Sequence, residues 1–160
     1  MKCVYKLGML SFLLLALWAG SLRSADVDLR MDRLADSLNL LRGEDRAAVE
    51  QVLDLIRKGE NTLALGRLTA LNTANPQNSS LRILSAYALL QAGNFLGAFD
   101  EAARAEKAPD GNSYKCWFLA KVALLAGDKS VCKRELKHVK SVGDMAADVK
   151  ALEKELKAKN

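Results

Sequence analysis

The side chains able to do chemistry are few and poorly grouped. The chain has a single histidine, His138, between Lys137 and Val139. No Cys or second His stands at metal-ligand spacing from it, so a solvated imidazole is expected rather than a ligand or base. The acid pairs Asp32/Asp36 and Asp144/Asp148 are four residues apart, which puts two carboxylates on one helix face. Acid–base catalysis would need such a pair, but two solvated faces are the simpler expectation. There is no phosphate-cradling glycine loop and no nucleophile elbow. We therefore expect a protein that is not an enzyme, with no cofactor and no metal. Lys133, Lys137 and Lys140, with Arg134 alongside, form a basic face that could attract an acidic partner or weakly touch an anionic membrane surface. Salt-screened decoration is the plainer reading.

Charge has to be read after setting aside the N-terminal stretch. Lys2 and Lys6 precede the apolar run "LGMLSFLLLALWAG", and small residues follow it. This order predicts a signal peptide over residues 1–25, cleaved after Ser21 or Ala25. The run is 14 residues long, short of the ~20 needed to span a bilayer. The full chain has 24 Lys+Arg against 19 Asp+Glu. Three of those cations (Lys2, Lys6 and Arg23) lie in residues 1–25, so 21 against 19 remain, a formal charge of +2 instead of +5. The basicity belongs mainly to the leader, and nucleic acid is not an expected partner. An exported protein is expected, periplasmic or secreted and bacterial.

The remaining residues, 26–160, suit one domain with a sizeable core. Apolar residues recur at helical spacing nearly throughout, and Pro occurs only twice. The predicted class is all-α, with eight helices. The breaks between them are regular. Gly59, Gly93 and Gly127 are 34 residues apart, within "RKGENTLALGRL", "QAGNFLGAFDEA" and "LAGDKSVCKREL". Each glycine is expected to end a helix in the left-handed conformation. The residue after it is Glu, Asn or Asp, and the Asn or Asp can then cap the next helix. Five residues beyond each glycine stands a small residue: Ala64, Ala98 or Cys132. Folding about the glycines sets Val52, Ala86 and Ala120 opposite these three, so the helices can cross closely. Gly97 is expected to ease the same crossing.

A 34-residue period of helix–turn–helix units resembles the tetratricopeptide repeat (TPR) family. The resemblance covers residues 45–146 as three units: 45–78, 79–112 and 113–146. Pro76 falls where the family has its end-of-unit proline. The repeats are degenerate. The family's early Trp is replaced by Ala48, Arg82 and Cys116, and its Leu-Gly pair by Gln51-Val52, Ser85-Ala86 and Leu119-Ala120. The resemblance implies a right-handed superhelical stack. A leading helix over 27–41, striped with Val27, Met31, Leu34, Leu38 and Leu41, would precede it. A C-terminal helix carrying Val149, Leu152 and Leu156 would cap it.

The hairpin register bears on the cysteines. Cys132 faces Ala120 and Cys116 faces Leu136, an offset of ~6 Å along the helix. Adding the gap between helices exceeds the ~7 Å limit for a bridge, so two buried thiols are expected in place of a disulfide. Cys3 lies in the leader.

In this family the first helices of successive units line a concave groove. The resemblance implies groove positions at Arg46, Val49, Leu53 and Arg57, then Ser80, Ile83, Tyr87 and Gln91, then Tyr114, Trp117, Lys121 and Leu125. The carboxylate clamp of some members is not matched, because Val49, Ile83, Trp117, Leu53, Tyr87 and Lys121 occupy its places. An apolar trough with aromatic residues and basic flanks suits a protein or peptide. The sequence leaves open whether residues 27–41 fill the trough themselves. The expected function is an exported adaptor or scaffold that binds a protein or peptide. The alternative is a self-associating structural component of an envelope assembly.

Overall fold

The computed structural model describes residues 27, 29–110 and 112–159. The predicted leader, residues 1–25, lies outside the described residues. Those described form eight α-helices and no strand. They are α1 (Met31–Leu38), α2 (Gly43–Arg57), α3 (Asn61–Ala74), α4 (Ser79–Gln91), α5 (Phe95–Glu106), α6 (Tyr114–Leu125), α7 (Lys129–Val142) and α8 (Ala146–Ala158). From α2 to α8 each helix packs on the next, and α4 also touches α6, which touches α8. The leading helix α1 packs on α4. No helix among the described residues is long and apolar enough to cross a membrane.

The three evenly spaced glycines end α2, α4 and α6 in the same way. Glu60, Asn94 and Asp128 donate their backbone N–H to Leu55, Leu89 and Ala123, five residues back, at 2.9, 2.8 and 2.8 Å. Gly59, Gly93 and Gly127 donate to Ile56, Leu90 and Leu124. This paired pattern satisfies carbonyls that a helix end would leave bare, and it needs a left-handed residue between the two donors. At Gly93 φ is +77° and nothing lies within 4 Å of where a Cβ would stand. Gly93→Ala should therefore cost about 1–2 kcal/mol through backbone strain alone, read as a lower urea midpoint with an unchanged slope. A loss below a few tenths of a kcal/mol would contradict that account.

The residues expected to pair across each turn all lie in the core. Val52, Ala64, Ala86, Ala98, Ala120 and Cys132 are all fully buried. Gly97 also serves the start of its own helix. A Cβ there would come within 2.9 Å of the Asn94 side chain, and the Asn94 Oδ1 accepts from the Gly97 N–H at 2.9 Å. Gly97 makes room for the cap of α5.

The deepest element is α6, where every residue from Tyr114 to Leu124 is buried. The stripe predicted for the leading segment is also seen. Val27, Leu34, Leu38 and Leu41 are buried and Met31 is half-buried. The helix itself is shorter than 27–41, starting at Met31 and ending at Leu38. On α8, Val149, Leu152 and Leu156 face inward as expected. Cys116 and Cys132 are free, buried thiols.

Candidate protein-binding face

The face built by α2, α4 and α6 is covered by the chain's own leading segment. The contacts are largely side chain to main chain. Asn78, just before α4, donates its Nδ2 to the Ser37 carbonyl at 3.0 Å. Asn112, 34 residues later and just before α6, donates its Nδ2 to the Arg33 carbonyl, also at 3.0 Å. Ser80 and Tyr114 form a second pair at the same spacing. The Ser80 hydroxyl meets that of Ser37 and also reaches the Leu34 carbonyl. The Tyr114 hydroxyl accepts from the Arg30 N–H at 3.2 Å. Equivalent positions in successive units thus hold successive turns of one short segment. That segment runs backwards relative to the units, because Ser37 meets the earlier unit and Arg33 the later one.

The proposed groove residues divide by environment. Val49, Ile83, Tyr114 and Trp117 are buried, and Tyr114 stacks on Trp117 with ring centroids 5.5 Å apart. Ser80 is buried against α1, as described above. Leu53, Arg57, Tyr87 and Gln91 line one open cleft of 350 Å³ together with Leu29, Met31 and Ile56. The two remaining cations are engaged. Lys121, only 4 % exposed, donates to both carboxylate oxygens of Glu155 on α8, at 2.9 and 2.7 Å. Arg46 donates to the Asn39 Oδ1 at 2.7 Å and pairs with Glu50 at 3.3 Å. Leu125 is half-buried against the core. In place of an open apolar trough with basic flanks, the described residues show a face largely filled by the leading segment, with a residual cleft at Leu53 and Tyr87.

Sequence reasoning missed Asn78 and Asn112. Their signal was the 34-residue period itself, which pairs them before α4 and α6. A single asparagine before a helix reads as a cap, and Asn78 does also accept from the Leu81 N–H at 3.3 Å. Its second bond depends on where α1 lies.

The acid pairs come to the same side of the molecule. Asp32, Asp36 and Asp144 border a 500 Å³ cleft with Arg33, Asp110 and Asn112. Guanidinium groups meet most of these acids. Arg30 pairs with Asp32 at 3.1 Å and with Asp148 at 2.9 Å, and Arg33 with Asp144 at 3.7 Å. The hydrogen bond from Arg30 holds the Asp32 carboxyl below its ordinary range. His138 is exposed. On the basic face Lys140 pairs with Glu153 and Arg134 with Glu135.

Asp110 is the most enclosed of the acids in this cleft. Its carboxylate takes the Ser79 N–H at 2.9 Å and the Lys115 Nζ at 3.2 Å. Burial works against its charge, but the bonds from Ser79 and Lys115 outweigh it and hold the carboxyl below the ordinary 3.8. A lowered folded value contributes stability that is present above the unfolded value and lost as pH falls through the folded one. Asp110→Asn should thus cost roughly 1 kcal/mol at neutral pH, with the gap from the parent closing below about pH 4. Denaturant melts at several pH values read this directly. A gap that persists at low pH would assign the loss to packing.

Comparison with protein-family models, with curated proteins and with solved structures finds no match to the chain.

Proposed function

We propose that the chain is an exported, non-catalytic adaptor of the TPR kind. In this reading its three 34-residue units form a right-handed superhelical stack, and a segment of a partner protein binds the concave face that residues 29–38 cover. The observation that carries the reading is the repeated grip on main chain. Asn78 and Asn112 hold carbonyls four residues apart in the leading segment, and bonds to backbone can be made by any helical segment of suitable shape. The internal segment then acts as a stand-in that a partner displaces.

A second feature favours displacement. Among the described residues the buried indole Nε1 of Trp117 has no acceptor, and an unmet buried donor costs about 1–3 kcal/mol. A partner presenting an oxygen there would recover that cost. The residual cleft at Leu53, Tyr87 and Gln91 gives an incoming side chain a first foothold.

The test starts with affinity capture from the native envelope fraction, followed by titration of the captured partner against the purified chain. Tyr87→Ala should weaken binding by at least tenfold, as expected for an aromatic anchor. Unchanged affinity would remove this face from the reading. Growth of mass with concentration in light scattering, with no other protein bound, would favour self-association instead.

A further inference from the structure

A second cluster lies apart from the face described above, where α5, α6 and α7 converge. Glu106 is the last residue of α5, Cys116 lies in the first turn of α6 and Glu135 is in the middle of α7. The thiol and the two carboxylates place one ligand atom each within 4.8 Å of one another. Cys116 is 2 % exposed and Glu135 4 %. Among the described residues neither the Cys116 thiol nor the Glu106 carboxylate has a hydrogen-bond or ion-pair partner. Glu135 is held only by its neighbour Arg134, at 2.7 Å. Two carboxylates thus close on a buried thiol with one guanidinium beside them, an arrangement that like charges resist.

A divalent cation resolves this arrangement. We propose that Glu106, Cys116 and Glu135 form a binding site for a borderline-soft divalent metal ion, best suited to zinc. Thiolate selects against calcium and magnesium, and one sulfur with two carboxylate oxygens fits a tetrahedral ion whose fourth position is water. On binding, the Cys116 thiol loses its proton to solvent and the sulfur–metal bond forms, with no change in oxidation state. The ion contributes +2 and the three ligands −3. Arg134 contributes +1, so the site becomes neutral. Tetrahedral ligation draws ligand atoms to about 3.5 Å from one another. Glu106, half-buried at its helix end, can supply that movement by changing rotamer. The ion would pin the end of α5 to α6 and α7, a structural role that leaves the protein-binding face untouched.

The site was hidden in the sequence because its ligands are 10 and 19 residues apart and include no histidine. Cys132, the other buried thiol, supplies an internal control. Burial first, then Glu135 and Glu106, push the Cys116 thiol up to about 11, with Lys115 acting in the opposite sense.

The experiment is a cobalt(II) titration of the reduced chain, followed by competition with zinc. The parent should develop a near-ultraviolet thiolate-to-cobalt charge-transfer band that saturates at one ion per chain, and zinc should abolish it. Cys116→Ser should lose the band and Cys132→Ser should keep it. Glu106→Gln should weaken binding at least tenfold. That variant lies at a partly exposed helix end, so it remains informative should Cys116→Ser fail to fold. Absence of the band in the parent with cobalt in excess would overturn the proposal. So would a band lost in Cys132→Ser and retained in Cys116→Ser, or unchanged affinity in Glu106→Gln.

Discussion

Replacing Phe118 by Ala is expected to remove about 3–5 kcal/mol of stability. That is a large share of the 5–15 kcal/mol typical of a domain. Phe118 has no exposed surface and lies in the helix whose residues 114–124 are all buried. Its ring sits 6.0 Å from that of Tyr114, tilted by 57°, so the substitution removes an aromatic contact as well as volume. A small side chain leaves a void that four neighbouring helices cannot all close. Urea unfolding followed by circular dichroism reads the effect. A loss under about 1 kcal/mol would mean that α6 is not the centre of the core.

Leu34→Asp should have an effect of similar size centred on α1. Leu34 is fully buried, and burying an unpaired carboxylate is far more costly than releasing an eight-residue helix into water. The expected result is undocking of α1 while α2–α8 remain folded. Trypsin should then cut at Arg30, Arg33 and Arg42 at least tenfold faster, since cleavage follows the population of the open form. Because the covered face and the proposed partner site are the same, the variant should also bind a captured partner more tightly, by the fraction of chains no longer closed. Tryptic rates equal to the parent's would show that α1 is not held through Leu34. Collapse of the whole helical signal would show that it cannot be separated from the rest.

What could be read beforehand followed from local rules. Gly59, Gly93 and Gly127 mark helix ends by their chemistry, and the small residues five positions on mark where helices cross. Neither needs knowledge of distant parts of the chain. The stripe of Val27, Leu34, Leu38 and Leu41 was visible for the same reason, although it could not show that helical backbone begins only at Met31. The fit of Gly97 to the Asn94 cap was not legible, because it depends on a side-chain conformation three residues away that helical spacing does not reveal. The filled face was left open because α1 packs on α4, across the intervening α2 and α3. Periodicity shows that a segment has an apolar stripe, and it does not show which surface receives it. The cluster at Cys116 escaped for a related reason, since three helices must meet before its members are neighbours.

The backward course of the leading segment bears on how the molecule comes apart. A row of helices joined only to their neighbours can fray from either end, one hairpin at a time. Here Arg30, just before α1, meets Asp148 of α8 at 2.9 Å across 118 residues of sequence, so the leading segment guards the last helix. Hydrogen-exchange protection in α8 should therefore depend on residues at the opposite terminus. Any partner that lifts the leading segment away would loosen the far end of the chain as it binds.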